Sequence, residues 1–402
     1  MKKMYCLPNT KMLLLALAIT AVLGTSPRQV NAQVAAPIAP ATTIKTVPTV
    51  EIMPSMWEYD TKHTNNDFFI QNGTAYLSYT QASVMFQDLV WSYNQKSGIL
   101  NVSGPNRTLS WKINSKTTIQ NGHHRQMSSP LLQRNGDIHL PLRDLLNWAG
   151  GTLKSSKNNK ITVSYTILNA VSGDAKDGWY WVRKDNGIVY AAIGSEMPHN
   201  IGQSAVRANQ FTEMSVTKAD DHSIVLQLNH SYGEPLMYDD IYKLYIYNGK
   251  LVRESRVMYN GGSPRESIRE ADGFTIMLNG TDLLLVRANG TLEHQYDLKE
   301  LGGLDESYTV EYVSVADGIL LIRPYVTQTL LLIDLKLDAP VALYKDLLSK
   351  EDQDYFEKFE QLPWMTLSDG LQYVKRDGNL FTFKHTSTTI HGSEELTYRL
   401  NH

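Results

Sequence analysis

The chain has 402 residues, 20% of them charged, with a formal net charge of −3 and a pI of about 6.4. A mildly acidic chain without a basic block is poorly suited to nucleic acid or to an anionic lipid surface. Its single cysteine, Cys6, lies at the extreme N-terminus, so the remainder can form no disulfide, thiolate metal site or cysteine nucleophile.

Residues 1–32 read as a cleavable secretory signal. Lys2, Lys3 and Lys11 make a positive start, Met12–Leu23 is an uncharged apolar run, and Val30-Asn31-Ala32 offers a cleavage site before Gln33. The apolar run is shorter than the roughly 20 residues that span a bilayer core, although an uncleaved N-terminal anchor stays open as the alternative. Cleavage would remove Cys6 together with Lys2, Lys3, Lys11 and Arg28, taking the net charge from −3 to −7. No second long apolar segment follows, so the expectation is a secreted or wall-associated protein without a transmembrane segment.

Residues 33–66 begin rich in Ala, Pro, Thr and Val, with prolines at 37, 40, 48 and 54. Such a stretch buries little apolar surface and is held extended. It is expected to be a linker, or else a pro-segment. Two similar segments come next. Asn72-Gly73 precedes Leu77 and Val102; Asn135-Gly136 precedes Leu140 and Val163. Each predicts an Asn-Gly turn, a short strand, an amphipathic helix, and two strands joined by a polar turn. The spacing of roughly 62 residues points to duplication.

The second segment carries a resemblance. Its residues LSWKINSKTTIQNG (109–122), SSPLLQRNGDIHLPLRDLLNWAGGTLKSS (128–156) and KITVSY (160–165) resemble the copper amine oxidase N-terminal-like, or stalk, domain found in exported proteins of Gram-positive bacteria. Asn135-Gly136, Leu140-Pro141-Leu142-Arg143 and the helix end at Ala149-Gly150 match the family pattern. Ser129-Pro130 stands where the family has Pro-Pro, and Asp137 where it usually has Arg. With the first copy included, the resemblance covers about residues 68–166. It implies a folding and presenting module. The Asn-Tyr-Asp/Glu and His-x-His patterns that a working copper amine oxidase resembles are both missing here, so amine oxidase activity is not expected.

From residue 167 to 402 short apolar runs alternate with Gly, Asn and Asp turns. Markers at Asp177-Gly178, Asp221, Asp272-Gly273, Asp317-Gly318 and Asp369-Gly370 each precede an apolar strand, at intervals of 44, 51, 45 and 52 residues. Second runs follow at 187–193, 242–247, 282–288, 329–335 and 379–384, and third runs at 250–258, 292–298 and 341–347. A run at 308–316 supplies a strand ahead of its marker, and one helix is expected around 349–360. Four antiparallel strands repeated at this interval predict a β-propeller-like domain of about five blades; a β-sandwich or an open β-array is the alternative. The expected fold is therefore mainly β, with a small α+β stalk-like domain at 67–166 followed by the propeller-like domain at 167–402.

The usual catalytic signatures are not formed. Gly202-Gln-Ser204-Ala-Val206 lacks the final Gly of a nucleophile elbow. Ser215 and Lys218 match Ser-x-x-Lys, but on a strand they face opposite ways. His123-His124 fits a solvated hairpin better than a metal site, and Asp220-Asp221 and Asp239-Asp240 read as turn acids without a calcium-loop pattern. Trp179 and Trp181 would share one strand face and Tyr180 the other, which is blade packing or a sugar-stacking surface. No residue is assigned a catalytic, cofactor-binding or metal role, and no cofactor is expected. The favoured reading is a non-enzymatic envelope or extracellular protein whose propeller-like module binds a cell-wall, glycan or protein partner. The alternatives are a secreted hydrolase or lyase using acids in the propeller channel, and a sensory module.

Overall fold

The computed structural model describes residues 49–52, 68–86, 88–155, 161–165, 168–175, 178–194, 196–234, 238–260, 265–337, 339–360, 368–387 and 392–400. The expected signal, most of the expected linker and the Asp177 marker lie outside the described residues. The protein is mainly β, built from many small antiparallel sheets.

Of the three Asn-Gly hairpins in residues 68–141, two stand at matching points of the two similar segments. Strands Phe68–Gln71 and Thr74–Ser78 form one, and Leu132–Arg134 and Asp137–Pro141 the other. Asn72, Gly73, Asn135 and Gly136 all take positive φ, as tight hairpin turns demand. The inner strands of the two hairpins then pair antiparallel, with Leu140 opposite Leu77. These residues hold matching positions in the two similar segments, so the two hairpins meet about a local two-fold centred on this pair.

Each hairpin runs into a helix, Tyr79–Met85 in the first copy and Leu142–Ala149 in the second. Ser78 caps the first by accepting from the Gln81 amide. Pro141 begins the second at φ −61°, and Gly150 ends it at φ +81°. Leu142, Leu145 and Leu146 are fully buried in a core with Leu77, Leu100, Trp111 and Leu140. The first copy differs from expectation after its helix. Val90–Asn94 and Ile99–Gly104 continue through Arg107–Lys112, Thr117–Gln120 and His123–Gln126 into a five-stranded sheet. A second correction concerns the expected linker: Thr49–Ile52 is a strand, paired with Ile161–Ser164. The β-branched Thr-Val-Glu-Ile run outweighs the Pro/Ala character around it.

Five sheets follow in chain order. The first comprises Ala170–Ala175, Gly178–Arg183, Ile188–Ile193 and His199–Gln203. The second has the longest strands, Phe211–Lys218, Ser223–Tyr232, Tyr238–Tyr247 and Lys250–Asn260. The third comprises Glu270–Ala271, Phe274–Asn279, Asp282–Val286 and Leu292–Asp297. The fourth comprises Tyr308–Ser314, Ile319–Pro324, Leu331–Asp334 and Val341–Ala342. The fifth has three described strands, Leu371–Asp377, Leu380–Thr386 and Ser393–Arg399.

The Asp markers at 221, 272 and 317 sit in turns before the second strand of their sheets, whereas Asp369-Gly370 precedes the first described strand of the fifth. The run expected as a strand over 341–347 is a two-residue strand followed by the helix Tyr344–Leu347. The helix expected around 349–360 is present as Lys350–Glu360.

Successive sheets share cores. Val182, Val189, Leu226 and Leu244 join the first to the second; Val225, Tyr245, Met277 and Val286 join the second to the third. Ile276, Leu285, Val310 and Ile322 join the third to the fourth, and Leu321, Leu332, Phe381 and Phe383 join the fourth to the fifth. Middle strands therefore bury residues on both faces, as in Ile319–Pro324, where every residue is buried.

Candidate functional site

A charged cluster draws residues from four of these sheets. Arg265, Glu266 and Ser267 precede the third sheet and run beside Tyr308–Ser314 of the fourth. There the Ile268 amide donates to the Val310 carbonyl and the Val310 amide to Ser267 Oγ. Glu311 and Arg323 belong to the fourth sheet, Asp369 stands at the entrance to the fifth, and Gln227 and Lys243 reach in from the second.

Arg323 is 1% exposed and is the hub. Its Nε lies 2.7 Å from Glu311 and its Nη1 2.7 Å from Asp369, while Nη2 donates to the Leu371 carbonyl at 2.7 Å. Burial alone would lower the Arg323 pKa; Asp369 and Glu311 outweigh it and raise the pKa above the ordinary value. The Asp369 carboxylate also accepts from the amides of Leu330 and Leu371. Arg265 completes the group, donating to Ser368 Oγ at 2.8 Å and lying 3.7 Å from Glu311. Desolvation, with the Arg323 charge beside it, lowers the Arg265 pKa.

Next to this network is an open cleft of about 30 Å³, lined by Gln227, Lys243, Tyr259, Arg265, Glu266 and Ser267 with apolar walls. Lys243 points its ammonium at the Ile276 carbonyl, 2.9 Å away. No carboxylate lies within ion-pair distance of it among the described residues, and Glu266 is already engaged by Arg269 at 2.7 Å. Burial, then repulsion from Arg269, brings Lys243 down to about 8, against a smaller opposing pull from Glu266. Between about pH 8 and the ordinary lysine value of 10.5 the unfolded chain thus holds a proton that the folded chain has released, so this group makes stability rise with pH. Lys243→Met is expected to raise the unfolding free energy at pH 7 by about 1 to 2 kcal/mol. It should also remove the part of the rise between pH 8 and 10 that depends on Lys243. Urea melts of both proteins across that range check this, and a variant less stable at pH 7 would refute it.

A second cluster lies on the overhanging end of the second sheet. Asp240, 2% exposed, lies 2.8 Å from Arg256 Nη2 and 3.9 Å from His230 Nδ1. Burial raises the Asp240 pKa, but His230 and Arg256 together bring it below the usual carboxylate range. The His230 ring stacks on Tyr232, which stacks on Tyr238. His230 Nε2 accepts the Asn209 amide at 3.3 Å, so the lone pair that a general base would use is occupied. This cluster packs and orients; it presents no nucleophile.

The residues weighed in the sequence fall elsewhere. His123 and His124 are exposed on a hairpin strand. Ser215 and Lys218 share the strand Phe211–Lys218, and Lys218 pairs with Asp221 at 2.7 Å. Ser204 Oγ is buried against the Gly187 carbonyl. Asp220 sits in a turn, as expected, but Asp239 and Asp240 do not: they lie within the strand Tyr238–Tyr247, where Asp240 faces His230 across the ladder. Trp181 is fully buried and Tyr180 nearly so. Among the described residues no group of three or more His, Cys, Asp or Glu could hold a metal ion, and no helix is long and apolar enough to cross a membrane.

Comparison with known proteins finds no matching family model and no matching curated protein. Among solved structures, the chain is similar to the WD40 domain of SCAP from fission yeast, at 13% identity and a TM-score of 0.19, over 78% of this chain and 62% of that one. It is similar to a Mycobacterium tuberculosis puromycin-hydrolyzing peptidase at 13% identity and a TM-score of 0.22, over 80% and 54%. The AfRom2 CNH domain gives 8% identity and a TM-score of 0.18, over 78% and 94%. The chain thus spans less than two thirds of the first two.

Proposed function

We propose that this chain is an exported, non-enzymatic protein of the cell envelope or extracellular medium. A duplicated stalk-like domain over residues 67–166 presents a propeller-like module of about five blades over residues 167–402, and that module binds a wall, glycan or protein partner. The shared cores of successive sheets support the propeller-like reading, as does the convergence of four sheets on one charged cluster. The local two-fold about Leu77 and Leu140 supports the duplicated domain.

The observation that carries the functional reading is the state of the acids. Glu311 and Asp369 are clamped by the buried Arg323, and Glu266 pairs with Arg269 at the surface. A hydrolase or lyase would need a carboxylate left available to give or take a proton. Here the group facing the cleft without an acidic partner is a cation. Such an arrangement is suited to holding a ligand.

Incubating the purified protein with cell-wall and membrane fractions, then sedimenting them, tests the reading. Retention on the wall fraction that survives moderate salt is the expected result; a protein wholly in the supernatant of every fraction would overturn it. Turnover of a wall glycan, lost in Glu266→Gln, would instead favour the hydrolase or lyase.

A further inference from the structure

The cleft beside Arg265 combines three features that the packing of the sheets leaves unexplained. It is partly open to solvent, it is lined by Gln227, Tyr259, Glu266 and Ser267, and it holds an ammonium whose sole polar contact among the described residues is a main-chain carbonyl. An ammonium held against apolar walls without a counter-ion in contact is costly, because its hydration is reduced and the more distant Glu266 compensates only in part. In this neighbourhood Lys243, Arg265, Arg269 and Arg323 face the three carboxylates Glu266, Glu311 and Asp369. Those carboxylates are all committed to arginines, so one positive charge is left over, and it is the one at the cleft.

We propose that this cleft is the binding subsite for a single carboxylate group of the partner, held between the Lys243 ammonium and the outer edge of the Arg265 guanidinium. This deepens the binding-protein reading and rests on it. The size of the cleft admits one small oxyanion head, with the remainder of the ligand outside. An ammonium supplies a point charge and three donors, whereas the guanidinium, whose terminal nitrogens also donate to the Leu371 carbonyl and Ser368 Oγ, adds its charge and its remaining N–H groups. Gln227 lines the same cleft and offers a neutral donor.

The carboxylate could come from an acidic sugar or from the free end of a peptide, and the test separates the two. The probes are D-glucuronate with D-glucose as its neutral counterpart, and N-acetyl-dialanine with its C-terminal amide. Each is titrated into the purified full chain by calorimetry at low salt and pH 7. The expected result is binding by one or both acids and none by the neutral counterparts. Affinity should weaken at least about tenfold in Lys243→Met. It should also fall as pH rises through about 8, where Lys243 loses its proton; Arg265, Arg269 and Glu266 are the other charged groups facing it.

Lys243→Met must keep the wild-type melting temperature or exceed it, so lost binding would not reflect lost folding. Arg265→Lys, which keeps the charge and removes the guanidinium, should give an intermediate loss. The proposal is overturned if neither acid binds up to about 10 mM, if the neutral counterparts bind equally, or if Lys243→Met binds as wild type does. Wall retention that persists while both acids fail would sink this subsite and leave the envelope-binding reading standing. Carboxylate binding without retention would do the reverse.

Discussion

Replacing Asp369 by alanine is expected to lower the unfolding free energy by about 3 to 5 kcal/mol, the range for removing one partner of a buried ion pair. Arg323 is 1% exposed and Asp369 2%, so the lost carboxylate cannot be replaced by bulk water without opening the junction between the fourth and fifth sheets. The deletion strips three bonds at once. Arg323 Nη1 loses its 2.7 Å partner, and the amides of Leu330 and Leu371 lose their acceptor. Glu311 remains as the one acidic neighbour of Arg323, and it is shared with Arg265. Asp369→Asn keeps one acceptor oxygen and should cost less than the alanine change. Combining Arg323→Met with Asp369→Asn should cost less than the two single losses added together, because the charge leaves with its partner. Guanidinium melts of the single and double variants measure this coupling. A loss below about 1 kcal/mol for Asp369→Ala, or strict additivity in the double variant, would show that the pair contributes no more than a surface ion pair does.

Why Asp369 was legible in the sequence only as a turn residue has a physical answer. Its Asp-Gly pairing does mark a turn, with Gly370 at φ +72°, and local backbone chemistry of that kind is written in adjacent residues. The same holds for Asn72-Gly73 and Asn135-Gly136, for the helix end at Gly150, and for the helix Lys350–Glu360. The strand runs were legible too, because a middle strand packed on both faces is largely apolar. What adjacent residues cannot specify is which distant side chain meets which. Arg265 reaches the Leu371 carbonyl across 106 positions, and Asp240 is buried because the ladder places it opposite His230 and one strand away from Arg256. Two adjacent aspartates have low strand propensity, so reading Asp239-Asp240 as turn acids followed the local preference, which the tertiary pairing overrode. The five-stranded sheet was missed for a related reason: Thr117–Gln126 is mostly exposed and lacks the apolar alternation that announces a strand. One usable signal was present. Arg323 follows directly on Ile-Leu-Leu-Ile within a buried strand, and Lys243 sits inside Tyr-Lys-Leu-Tyr-Ile-Tyr. A charge within a run that must be buried has to find a partner or face a cleft, and these two residues do one each.

Trp181→Ala is expected to cost about 3 to 5 kcal/mol of stability, the range for truncating a large buried aromatic, and to leave wall retention of the folded fraction unchanged. Tyr180 and Val182 face the core shared by the first and second sheets. Strand alternation therefore puts Trp181 on the other face with Trp179, and Trp181 there is fully buried while Trp179 is only partly so. A sugar ring cannot stack on an indole that presents no surface, so the aromatic cluster Trp179-Tyr180-Trp181 acts through packing at its central and third positions. The indole Nε1 of Trp181 is buried without an acceptor among the described residues. Trp181→Phe removes that unsatisfied donor while keeping an aromatic ring, and the two effects oppose each other: relief of the polar group against a small cavity. Its net cost should stay below about 1.5 kcal/mol, well under that of alanine. Thermal melts of the two variants, with wall sedimentation run at a temperature where both are folded, separate packing from recognition. An alanine variant that melts like wild type but no longer sediments with the wall would return this strand to the ligand-binding surface and remove its structural role.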